Sequence, residues 1–274
     1  MPQIRPWSPK SARRSNLSLA GASLLAVTAA LALTTSAAAN AAPGGHDAKS
    51  ANSAKPLAGK IIGIDPGHNG RNYTDPAFLD KQIWNGREWE DCDTTGTETD
   101  GGYTEAKFNW IVASDLAKIL RKEGAKVVLT RHSNEGVGPC VNTRARILDR
   151  AHANVSIDIH ADGGPSSGRG FTVLEPVADG PNDKVIKSSE RFGKDVHQAF
   201  LGDTPIMVSD YYGKNGYIFR NDLAGLNLTT MPKVLIECGN MRNSADAKLL
   251  TALKTEREIA VALSAAIKRF LAGH

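Results

Sequence analysis

Only three cysteines occur in the 274 residues, and no apolar stretch is long enough to hold the mature chain in a bilayer. The apolar run from Leu19 to Leu33 falls short of the roughly 20 residues that a membrane-crossing helix needs. Arg5, Lys10, Arg13 and Arg14 precede it, small residues follow it, and Ala39-Asn40-Ala41 offers a small-x-small cleavage site. Residues 1–41 therefore read as an export signal cut after Ala41, leaving no stable membrane insertion; an uncleaved N-terminal anchor is the alternative. A surplus of charge is also missing. The signal carries four of the 33 Lys+Arg and no acidic residue, so 29 basic side chains face 29 Asp+Glu in the remainder. Such a neutral chain has no bulk cationic field to draw nucleic acid or anionic membrane, which disfavours nucleic-acid binding. No internal repeat is present, and no compact metal motif such as H-E-x-x-H.

In an exported protein, three cysteines imply one disulfide and one leftover thiol. Cys92 and Cys140 lie in Gly- and Thr-rich loop sequence, whereas Cys238 follows an apolar strand-like run, so a Cys92–Cys140 pair is expected. Three unpaired thiols is the alternative.

Residues 42–58, rich in Ala, Gly, Ser and Lys without apolar period, read as a flexible leader, and a single domain is expected over 59–274. Short β-branched runs at 60–64, 126–130, 155–159, 170–174 and 233–236 alternate with helical patterns. That alternation predicts an α/β fold: a mostly parallel, open twisted sheet flanked by helices. Helices are expected from near Thr104 to Gly124, over 142–152 and 183–201, and at the C-terminus, where Thr255-Glu256-Arg257-Glu258 forms a capping-box pattern. The long stretch between Asn69 and Gly102 is an inserted loop or short hairpin, expected to wall one side of a cleft.

Two strands run into histidine: Ile62-Gly63-Ile64-Asp65-Pro66-Gly67-His68 and Ser156-Ile157-Asp158-Ile159-His160. A third, Val234-Leu235-Ile236, ends on Glu237. Ligands of open α/β sheets collect beyond the carboxyl ends of strands, so these three side chains are placed at one rim. Glu105 opens the helix after the insertion, and a helix start at the same rim would add one carboxylate. Taken singly, each histidine is either a metal ligand or a hydrogen-bonded strand end; together, two imidazoles and one carboxylate with an open fourth position fit a catalytic zinc site. Glu237 is then the group that serves the water.

These residues resemble the zinc-dependent N-acetylmuramoyl-L-alanine amidases of the third amidase family. The shared motifs are Ile64-Asp65-Pro66-Gly67-His68, Glu105, Ile159-His160-Ala161 and Glu237-Cys238-Gly239-Asn240-Met241-Arg242-Asn243, with Leu129-Thr130-Arg131 and Thr143-Arg144-Ala145-Arg146 in the family's order. The resemblance spans about residues 60–272 and is similar in kind to secreted actinobacterial members made of the catalytic domain alone. It implies Zn2+ on His68, Glu105 and His160, Glu237 as catalytic acid/base, and a peptidoglycan or muropeptide substrate. The bond implied is the amide between the lactyl group of N-acetylmuramic acid and L-alanine. A secreted or wall-associated monomer without a separate wall-binding module is expected. A zinc peptidase, a deacetylase of the wall, and a non-catalytic wall-binding domain are the rival readings.

Asp158 departs from the family, which commonly has a small polar residue there. Strand alternation puts it on the face of His160, where it either orients the imidazole or is solvated. Arg220, Asn221 and Asn243 are candidates for a substrate cleft, although turn chemistry and helix capping explain them as well.

Overall fold

Eight strands and seven α-helices are built from residues 55–273, the part of the chain that the computed structural model describes. The expected export signal, residues 42–54 of the leader and His274 lie outside the described residues. The strands are β1 (Ile61–Pro66), β2 (Gln82–Trp84), β3 (Trp89–Asp91), β4 (Lys126–Leu129), β5 (Val155–Asp162), β6 (Thr172–Pro176), β7 (Tyr217–Arg220) and β8 (Lys233–Asn240). The helices are α1 (Pro76–Leu79), α2 (Glu105–Lys122), α3 (Val141–Arg150), α4 (Ile186–Asp203), α5 (Ala224–Asn227), α6 (Ser244–Leu250) and α7 (Leu253–Ala272).

Six strands form one sheet in the order β4-β1-β5-β8-β6-β7. The first four are parallel, β6 runs antiparallel to β8, and β7 is parallel to β6. Helices α2, α4 and α7 cover one face, α3 and α5 the other. This is the predicted α/β domain, with both faces of its central strands covered, which is why those strands read as continuous apolar runs. Ile62, Ile64, Ile157, Ile159, Val234 and Ile236 are fully buried under the long helices with Phe108, Phe192 and Phe200. The opposite face is thinner: Leu148 of α3 lies so close to Gly63 that a Cβ there would sit 2.7 Å from it.

The insertion does contain the hairpin, β2 paired antiparallel with β3, and the Cys92–Cys140 disulfide ties it to the start of α3. Cys238 is buried and unpaired. The packed domain begins slightly before Gly59, since Leu57 is buried in the main core and its N–H donates to the Glu123 carbonyl. The capping-box pattern at Thr255 is not used. Helix α7 already starts at Leu253, and Thr255 and Glu256 are buried within it, Glu256 accepting the Tyr103 hydroxyl. Tertiary contact overrides the local signature here. No helix among the described residues is long and apolar enough to cross a membrane.

Candidate metal centre

The ends of β1, β5 and β8 lie side by side, with His160 in register with Glu237. After Pro66 the chain turns, and His68 adopts φ 57°, a left-handed conformation uncommon for a residue with a side chain. The turn is tight: a Cβ on Gly67 would lie 2.2 Å from the His160 ring. Glu105 enters from the first turn of α2, which Thr104 caps by accepting the Lys107 N–H. Its Oε2 accepts from the Thr97 N–H at 2.9 Å, and its Oε1 from the Ala161 N–H at 3.3 Å. Gly96 leaves the room; a Cβ there would come within 2.7 Å of both Glu105 Oε2 and the His68 ring.

The result is a compact donor set. His68 Nε2 is 3.2 Å from Glu105 Oε2, His160 Nδ1 is 2.8 Å from Glu105 Oε1, and one ligand atom from each residue fits within 4.8 Å. The two rings meet edge to face, 4.9 Å apart. Each imidazole has a carboxylate behind it: Asp93 Oδ1 hydrogen-bonds His68 Nδ1 at 3.2 Å, and Asp158 Oδ1 lies 3.3 Å from His160 Nε2, in ion-pair reach but with no hydrogen-bond partner among the described residues. A carboxylate on the rear nitrogen selects the tautomer whose front nitrogen carries the lone pair, the arrangement typical of histidines that bind metal. Asp158 therefore lies behind His160 rather than in solvent.

The electrostatics favour a cation between these groups. Burial depresses the charged form of His68, but Glu105 and Asp93 outweigh it, and the pKa is pushed up to about 9. His160 is raised well above its ordinary value, burial again being outweighed by Asp158 and Glu105. Across the rim, burial pushes the Glu237 carboxyl well up; His160 pulls against this, and Asp162 and Glu105 add to it. Among the described residues Glu237 Oε2 is buried with no hydrogen-bond partner, as a carboxylate oxygen turned toward a polar ligand would be. Two imidazoles, one carboxylate and an unpartnered carboxylate oxygen opposite them fit a zinc site open on one side.

Two cavities meet at this rim. One, of about 270 Å³, is lined by Glu237, Asp162, Gly163, Leu174, Arg220 and Leu223 beside the donor set. The other, of about 340 Å³, runs past His68 and His160 to Glu90 and Asp91 of the hairpin and to Val141 and Ala224. The hairpin thus walls the second cavity, as expected. Arg220 faces the first, paired with Asp222 at 2.6 Å and bonded to the Tyr212 hydroxyl. Asn221 lines neither cavity; its carbonyl accepts from Asn227. Asn243 caps α6 by accepting from the Ala245 and Asp246 N–H groups and donates to the Ser166 carbonyl, away from the donor set.

Sequence reasoning missed Asp93, which stands next to Cys92 in the insertion. It also gave no role to Lys233 or to the buried guanidinium of Arg144. Arg144 binds the Pro66 and His68 carbonyls at 2.7 and 2.8 Å and so holds the turn that carries His68. Arg131 does the same from the other side, donating to the Pro66 carbonyl at 2.9 Å. The signal for both was present, since each lies in a motif shared with the family.

Residues 62–269 match the family model described as N-acetylmuramoyl-L-alanine amidase, the third amidase family. The N-acetylmuramoyl-L-alanine amidase Rv3717 of Mycobacterium tuberculosis is 37% identical over 223 residues, covering 79% of this chain and 88% of that protein. The crystal structure of the amidase Ami1 from Mycobacterium smegmatis superposes with a TM-score of 0.75 at 35% identity, over 80% of this chain and 99% of that one. The apo form of Ami1 from Mycobacterium abscessus gives 0.74 at 35% identity, over 78% and 100%. The chain belongs to the third family of N-acetylmuramoyl-L-alanine amidases.

Proposed function

We propose that this amidase acts on peptidoglycan outside the cytoplasmic membrane with one zinc ion held by His68, Glu105 and His160. The bond it hydrolyses is the amide between the lactyl group of N-acetylmuramic acid and L-alanine of the stem peptide. The observation that carries this reading is the convergence of those three donors with the unpartnered oxygen of Glu237 at one rim. When bound, zinc supplies Lewis acidity toward the scissile carbonyl and the attacking water.

The protein's own groups do the rest. Asp93 and Asp158 hold the imidazoles in the orientation that presents His68 Nε2 and His160 Nδ1 to the ion. Glu237 stands at the open side, in a setting where burial favours its protonated form, so it is suited to take a proton from water and return it to the leaving nitrogen. Arg220 and the walls around it receive substrate beside Glu237. Glu237→Ala is expected to keep zinc and lose cleavage of muropeptides; His68→Ala is expected to lose both. Zinc content by atomic absorption and turnover by chromatography decide it, and full turnover by Glu237→Ala would remove Glu237 from the mechanism.

A further inference from the structure

The sheet places two carboxylates directly opposite each other: Asp65 on β1 is in register with Asp158 on β5. Both face α5 and α3, and both are buried, 2% and 7% exposed. Like charges opposite one another across two strands are destabilising, more so without water. Between them lies the ammonium of Lys233, at the start of β8 and 1% exposed, 2.8 Å from Asp65 Oδ2 and 3.5 Å from Asp158 Oδ2. Gly225 of α5 closes this pair from above; a Cβ there would lie 3.2 Å from Asp158 Oδ2 and 3.3 Å from Lys233 Nζ.

The other oxygen of Asp158 faces His160 Nε2. Asp65 in turn bonds Arg144 at 3.2 Å, Arg144 bonds Asp93 at 3.1 Å, and Asp93 holds His68. The two imidazoles are thus joined behind the site by one chain of alternating charges: Asp93, Arg144, Asp65, Lys233, Asp158. The chain is complete only because this protein has an acid at 158 and a base at 233 together.

We infer that Lys233 is a positioning residue of the metal centre: its ammonium, clamped between Asp65 and Asp158, keeps the Asp158 carboxylate aimed at His160. Its reach to His160 runs through Asp158. The inference rests on the zinc reading above and adds a residue that touches neither metal nor substrate.

The test is the zinc dissociation constant of the full mature chain, measured by chelator competition, for the wild type, Lys233→Met, Asp158→Asn and the double variant. Loss of a partner behind a ligand typically weakens metal binding about 10–100-fold. Each single variant should fall in that range, and the double variant should be no more than about threefold worse than either single, since both act at one link. Unchanged affinity in Lys233→Met, or a double variant that multiplies the two losses, overturns the inference. If Lys233→Met does not fold, Lys233→Gln replaces it as single and in the double variant, with Asp65 still partnered by Arg144 and Thr130; unchanged zinc affinity in Lys233→Gln likewise overturns the inference. A wild type without zinc affinity overturns the zinc reading and this inference with it; a zinc-binding wild type matched by Lys233→Met overturns the inference alone.

Discussion

Gly67→Ala is the sharpest single-atom perturbation of the proposed centre. A Cβ at Gly67 would lie 2.2 Å from His160 Cε1, 2.3 Å from Nε2 and 2.6 Å from Nδ1. An ordinary contact needs about 3.4 Å, so the imidazole must retreat by roughly 1 Å or the turn before His68 must open by as much. Metal–ligand distances tolerate only about 0.2 Å, so a shift of this size detaches one ligand. Misplacement of about 1 Å at a reacting centre can lower rates about 100-fold even when the parts remain. Zinc affinity by chelator competition and muropeptide turnover should therefore both fall at least 100-fold. Gly101→Ala serves as control, its Cβ meeting nothing nearer than Thr99 Oγ1 at 3.8 Å. A Gly67→Ala protein that melts like the wild type and also binds zinc and turns over substrate at wild-type levels would refute this role of the turn.

Two further predictions concern stability. Replacing both Cys92 and Cys140 by Ser opens a loop spanning 48 positions, which in the chain-entropy model lowers stability by about 4 kcal/mol; denaturant melts of oxidised and double-serine protein check this. On β6, burial pushes Glu175 up to about 7, with Glu190 adding to it. Its folded pKa is above the unfolded value, so the protonated form is favoured by folding, and that stability is present below about pH 4.5 and lost as pH rises through 7. Glu175→Gln should accordingly be more stable than the wild type at pH 8, by on the order of 2 kcal/mol, with the gap closing at pH 4. Equal melting curves at pH 8 would contradict it.

Much of the site was legible because strands advertise their ends. Apolar runs that stop at His68, His160 and Glu237 place polar side chains where a parallel sheet opens to solvent, and two-residue alternation put Asp158 on the face of His160. Glu105 depended on resemblance, since a helix start can face any direction. Asp93 was hidden in an insertion with no period, brought to His68 by the disulfide-tied hairpin and Arg144. Lys233 was hidden for another reason. It reads as an ordinary strand position, and its meaning appears only when the parallel register sets Asp65 beside Asp158. The edge strand β7 was also not foreseen; Tyr217–Arg220 is four residues long, and Gly213 and Gly216 precede it in left-handed conformations that suggest only turn.

The products of digestion separate zinc amidase chemistry from its rivals. Purified muropeptides or sacculi are digested with the zinc-loaded protein, with chelator-treated protein, and with chelator-treated protein given zinc again, and the products are weighed by mass spectrometry. Free stem peptides beginning with L-alanine, and glycan retaining its lactyl carboxyl group, are expected, lost with the metal and restored with it. Free acetate, shortened stems still attached to glycan, or cleavage indifferent to metal removal would contradict it.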